Sequence, residues 1–141
     1  LADEQGFHEG DPVGRIGFLR WQLWRAARLV VDTGLHAQNW SRQRAIEYMM
    51  ATTGDAPGVV STEVDRYIVW PGQACGYELG RREIMRLREE ARNELGPDFD
   101  LRGFHDAVLL SGEVPLGVLD DLVRNWIPEQ RRLAERERRR R

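Results

Sequence analysis

Glu63-Val64-Asp65-Arg66-Tyr67-Ile68-Val69-Trp70-Pro71-Gly72-Gln73-Ala74-Cys75-Gly76-Tyr77 decides how this chain is read. Most of the stretch reads as helix. Tyr67 to Trp70 makes one helical turn and Gln73 to Tyr77 another. Pro71 must bend or restart the helix between them, because it lacks an N–H and the residue before it avoids the α region. The Arg66-Tyr67 pair, Gln73 and Tyr77 fall among residues expected to be buried. A buried polar group has to be hydrogen-bonded or used. The stretch is therefore read as one wall of an active site, with most of the other walls outside this chain.

Working outward, the flanking segments also read as helices. Ser61 or Thr62 is expected to cap the central helix, after a loop at Thr53-Gly54-Asp55-Ala56-Pro57-Gly58. Ser41 caps the helix before it, Arg42 to about Thr53, with Ile46, Met49 and Met50 inward. Asp11-Pro12 starts the first long helix, which runs to about His36. Ile16, Leu19, Leu23, Ala26, Ala27 and Val30 are its expected inward stripe, widened by Trp21 and Trp24. Arg25, Arg28, Asp32 and His36 form a polar stripe on the same helix. A pairing of Arg28 with Asp32, and of Asp32 with the His36 imidazole, is expected there; for the two arginines an exposed stripe of ion pairs is an equal alternative.

After Pro71 a helix continues to about Leu95. Ile84, Leu87, Ala91 and Leu95 face inward, and Arg81, Arg82, Glu83, Arg86, Arg88, Glu89 and Glu90 form a solvated face. Gly96-Pro97 ends it. Asp100 caps a short helix, Leu101 to Leu110, that carries Phe104, Val108 and Leu109. Pro115 opens the last helix, with Leu116, Leu119, Leu122, Val123 and Trp126 on its apolar face. Residues 129–141 hold seven Arg and three Glu, a balance of +4, against 14 Arg and 20 acids (−6) in the rest. This run is read as a frayed, solvated tail. The fold class is all-α: a helical domain of five to six helices over residues 1–128, plus the tail.

The 141 residues suffice for one domain with a core. All 21 basic residues are Arg, which points to a GC-rich bacterial genome. A net charge of −2 indicates neither a nucleic-acid nor a membrane partner, and no apolar run has transmembrane length. A single cysteine forms no internal disulfide. The chain opens on Leu1-Ala2-Asp3 without Met, so it reads as a C-terminal piece whose missing N-terminal part is its first partner. Trp21, Trp24 and Trp70 are expected to form an apolar patch where that part packs, and through which copies self-associate. Compartment is left open.

Metal and nucleophile chemistry find no complete motif. His8-Glu9 has no second histidine four residues on, and His105-Asp106 has no partner in sequence. Cys75, between Ala74 and Gly76, reads as a small packed thiol. What remains is Arg66, Tyr67, Gln73 and Tyr77, together with Asp32 and His36 as substrate-facing candidates. A phenol aimed into a cavity can donate to a developing oxyanion, and an adjacent guanidinium can support it. Residue by residue, a packed tyrosine bonded to a backbone carbonyl is the simpler reading.

A resemblance shifts that balance. Residues from about Phe7 to Ile127 resemble the C-terminal part of a bacterial family called domain of unknown function 885. Arg25 to His36, Trp40-Ser41, Glu63 to Ala74, Phe99 to Asp106 and Pro115-Leu116 carry it. The resemblance implies an all-helical zinc peptidase of the HExxH-plus-Glu kind, with zinc and its ligands upstream and a peptide as substrate. The Arg-Tyr step is also similar to one in the angiotensin-converting-enzyme group, where the tyrosine stabilises the tetrahedral oxyanion. Carried over, Tyr67 takes that role and Arg66 supports it; that group's substrate-binding histidine has no counterpart before Arg66. The implied function is the transition-state-stabilising wall of a zinc-dependent peptidase, with this piece inactive alone and holding no metal itself. The alternative is a non-catalytic helical interaction module.

Overall fold

Asp11 begins the first long helix in the way its sequence predicts. In the computed structural model, which describes residues 3–140, its side chain accepts the Gly14 N–H at 2.9 Å. Pro12, with no N–H to leave unpaired, occupies the first turn of α1 (Pro12–Ala37). Ser41 caps α2 (Arg42–Thr53) through the Arg44 N–H at 3.1 Å. Then come α3 (Pro57–Val69), α4 (Gly76–Leu95), α5 (Leu101–Leu109) and α6 (Leu116–Arg140). Short 3-10 turns lie at Asp3–Gln5, Gln73–Cys75 and Gly96–Asp98. The described residues contain no strand, so the all-α expectation holds.

The chain divides into two compact units, one ending at Glu78 and the other starting at Leu79. In the first, Trp24, Ala27 and Val31 of α1 meet Ala45, Ile46 and Met49 of α2 and Val60, Val64 and Tyr67 of α3. The α1 and α3 sets recur at three- or four-residue spacing, and in α2 Met49 follows Ala45 and Ile46 by four and three, the signature of one helix face. Burial of each larger side chain contributes roughly 1.5–3 kcal/mol. Gly34 is required where α1 turns toward α2. A Cβ there would lie 2.5 Å from the Trp40 ring, and the Trp40 N–H donates to the Gly34 carbonyl at 2.9 Å. In the second unit Leu87, Ala91 and Leu95 of α4 pack with Phe104 of α5 and with Leu119, Val123 and Ile127 of α6.

Four local expectations are corrected. The central helix starts at Pro57 with Ala56 at the cap position, so Ser61 and Thr62 lie inside it and donate to the Gly58 carbonyl. Proline in the first turn supplies the start signal that the two hydroxyl residues were expected to give. On α1 the core takes the stripe through Trp24, Ala27, Arg28, Val31 and Asp32. Of the expected inward stripe Ala27 is in the core, whereas Ile16, Leu19 and Leu23 lie outside at 66%, 51% and 44% exposure, and Val30 is exposed too. Trp21 and Trp70 are exposed, whereas Trp24 is core. Arg88, read as solvated, is buried.

α6 passes through Pro128 and continues as helix to Arg140. Residues 129–140 are largely solvent-exposed. Gln130 and Arg131 donate to the carbonyls of Asp98 and Glu94, and Arg138 pairs with Asp98. Arg141, like Leu1 and Ala2, lies outside the described residues. No helix is long and apolar enough to cross a membrane among the described residues.

Candidate active site

The inward face of α3 places Tyr67 at zero exposure. Glu63 lies one turn before it, so carboxylate and phenol meet at i, i+4 spacing. The Tyr67 hydroxyl donates to Glu63 Oε2 at 2.9 Å. Arg66 Nη2 donates to the same oxygen at 2.7 Å, and its Nε reaches Oε1 at 3.2 Å. A cationic donor and a neutral donor thus converge on one anionic oxygen. Arg66 Nη1 also donates to Gln73 Oε1 at 2.7 Å, which Arg28 Nη2 meets from α1 at 3.3 Å. The Arg28 guanidinium stands 5.4 Å from the Tyr67 ring centroid and 5.2 Å from that of Tyr77. Arg25 faces Tyr77 at 5.5 Å. All of these residues belong to the first unit.

The electrostatics follow from that geometry. The Arg66 hydrogen bond holds the Glu63 carboxyl below its ordinary range, helped by Tyr67 and Arg28 and opposed by burial. Burial pushes the Tyr67 phenol well above the ordinary tyrosine value; the Glu63 hydrogen bond adds to this, and Arg28 and Arg66 pull the other way. Arg66 is raised, chiefly by Glu63. At neutral pH the cluster therefore holds an anionic carboxylate and a phenol that keeps its proton.

Asp32 and His36 do not form the expected pair. Both oxygens of the buried Asp32 carboxylate lie 3.0 Å from the Gly72 nitrogen and accept its N–H. Gly72 sits at φ 81°, in the left-handed region that glycine enters without a Cβ penalty. Asp32 thereby fixes the turn that delivers Gln73 to the two arginines. His36 Nε2 donates to the Tyr67 backbone carbonyl at 3.0 Å. One turn of α1 thus anchors both the last turn of α3 and the connection that follows it. His36 does meet Tyr67, but at its backbone and not at its phenol. Arg28 bonds Gln73 in place of the anticipated Asp32. Cys75 is buried, and burial and then Asp32 push its thiol up, as suits an inert thiol.

Two residues of the cluster escaped the sequence reading of the site. Glu63 stands three residues before Arg66 and four before Tyr67, and that spacing was the available signal. Arg28, for which an exposed stripe was an equal alternative, is only 8% exposed, and its Nε has no hydrogen-bond partner.

Among the described residues no group of three or more His, Cys, Asp or Glu could hold a metal ion. Glu63, the carboxylate of the cluster, is clamped by Arg66 and Tyr67 with Arg28 nearby, a cationic setting that disfavours a metal cation. The His8 ring packs on Phe7 and Phe18, and His105 lies against Phe104 in the other unit. The described residues do not fit a zinc ion.

A family model described as "Bacterial protein of unknown function (DUF885)" matches residues 1–123. Among solved structures, the chain is similar to one described as "the putative lipoprotein from Colwellia psychrerythraea". The identity is 52%, the TM-score 0.88, and the match covers 91% of this chain and 22% of that one. The chain thus spans about a fifth of that structure's length. No curated protein matches it.

Proposed function

The chain belongs to the bacterial DUF885 family, and we propose that it forms one wall of a peptide-hydrolysing site, with Tyr67 and Arg66 stabilising negative charge on the carbonyl oxygen. One observation supports this above others: Arg66 Nη2 and the Tyr67 hydroxyl converge on a single anionic oxygen, Glu63 Oε2. That is the donor arrangement an oxyanion needs. In this reading the substrate's carbonyl oxygen takes the place of Glu63 Oε2 as charge develops on it. The raised phenol remains a proton donor throughout the neutral range. Gln73 and Tyr77 face the substrate, whereas His36 holds the backbone of α3 at Tyr67 and Asp32 holds the turn that carries Gln73. Zinc, where the family's chemistry uses it, is held by residues other than these, and none of these roles depends on it.

The test is Tyr67→Phe in the natural full-length protein, with peptide hydrolysis and thermal unfolding measured together. Loss of the hydroxyl alone should lower kcat about 10²- to 10³-fold, or roughly 3–4 kcal/mol, and leave KM nearly unchanged. An unchanged kcat removes Tyr67 from the chemistry.

A second reading has its own observation. Tyr67 is wholly buried and its hydroxyl is already satisfied by Glu63, as in a non-catalytic helical module whose polar knot is structural. In that case Tyr67→Phe costs about 1.5–3 kcal/mol of stability, the contribution of a hydrogen bond to a charged acceptor, and leaves any turnover per folded molecule unchanged.

A further inference from the structure

We infer that a groove beside the Arg66–Tyr67 cluster is a subsite for an apolar, preferably aromatic, side chain of a peptide. The inference rests on the peptide-site reading above and adds the side-chain class. The groove measures about 550 Å³, within the range of small-molecule pockets and ample for one amino-acid residue. It lies in the first unit, with Trp21 and Trp24 of α1 and Val59 of α3 among its lining residues. Gly17 also lines it, and a Cβ built there meets nothing within 4 Å. The missing side chain of Gly17 leaves space where any other residue would fill it.

The groove's polar groups argue against a charged ligand. Arg28 and Glu63 both line it and both belong to the cluster, so groove and cluster adjoin. Arg20 and Asp55, an ion pair, also line it. Two cations and two anions cancel, leaving no net charge to draw an ionic ligand. An apolar side chain of a peptide bound there would lie against the Trp21 and Trp24 indoles, with its backbone toward the adjoining cluster.

The test measures binding separately from hydrolysis. The natural full-length protein carrying Tyr67→Phe is titrated with the acetylated, amidated tripeptides Ala-Phe-Ala and Ala-Gly-Ala. Phe at the centre should bind about tenfold tighter than Gly or better. Gly17→Leu, which fills the open space while suiting a helix interior, should weaken Ala-Phe-Ala about tenfold and hold or raise the melting temperature. Trp21→Ala, at an exposed position, should weaken it similarly. Equal binding of the two peptides overturns the inference, as does unchanged binding by a folded Gly17→Leu protein. Binding with the expected preference but no hydrolysis by the wild type keeps the subsite and overturns the proposed activity. Hydrolysis indifferent to side chain keeps the activity and overturns the subsite.

Discussion

Replacing Asp32 with Ala should loosen the turn on which the cluster depends. The carboxylate is 3% exposed, and both its oxygens lie 3.0 Å from the Gly72 nitrogen. A hydrogen bond to a charged acceptor contributes about 1.5–3 kcal/mol, and the variant also leaves the Gly72 N–H without its partner. We expect a loss of about 2–3 kcal/mol. For a chain of this size that lowers the melting temperature by about 5–10 °C. Asp32→Asn should fall between, because an amide keeps one acceptor but sets an NH₂ donor near a backbone donor. The assay pairs thermal unfolding with labelling of Cys75 by a thiol reagent. Cys75 is buried, and its N–H donates to the Gly72 carbonyl at 3.1 Å, so a loosened turn exposes it well below the global melt. A melting temperature within about 1 °C of wild type, with Cys75 equally protected, would refute the assignment of Asp32 as the anchor.

Two further predictions test neighbouring pieces. Gly34→Ala forces a Cβ to within 2.5–2.9 Å of Trp40 ring atoms, so the α1–α2 corner must open at a cost of about 1–3 kcal/mol; a melting temperature equal to or above wild type would contradict that packing. Glu63→Gln addresses pH. Because the folded state holds Glu63 below its ordinary value of 4.5, its contribution is present above that value and fades as pH falls through the lower folded value. The wild type should therefore lose stability more steeply than Glu63→Gln over that acid range, in denaturant midpoints read from pH 7 down to about pH 2; parallel curves would show that the carboxylate's hydrogen bonds carry no linkage.

Local signals in the sequence located most of the helices. Asp11-Pro12, Ser41 and Asp100 each announce a start through a side chain that accepts a nearby N–H, and each does so here. Arg66, Tyr67 and Gln73 were legible as a polar group in an apolar stretch, and they do come together. Their partners were harder to read, because partner choice is tertiary. Asp32 turned to Gly72, forty residues away, and His36 to a backbone carbonyl. Nothing in an i, i+4 pattern predicts either.

The first helix shows why periodicity reaches a limit. Two apolar stripes of equal quality run along α1, one through Trp24, Ala27 and Val31, the other through Ile16, Leu19, Leu23 and Val30. Spacing identifies each stripe as a face but carries no information about what covers it. The stripe that enters the core is the one interrupted by Arg28 and Asp32, because those two residues have partners waiting in Gln73 and Gly72. A polar residue on an apolar face therefore counted against that face in the sequence, yet it is what ties the face to the connection between α3 and α4. The purely aliphatic stripe has no such tie and stays open to solvent among the described residues. On this helix the hydrogen-bonding residues determine which apolar face is used. The same residues, Arg28 above all, carry the fold's order into the cluster around Tyr67.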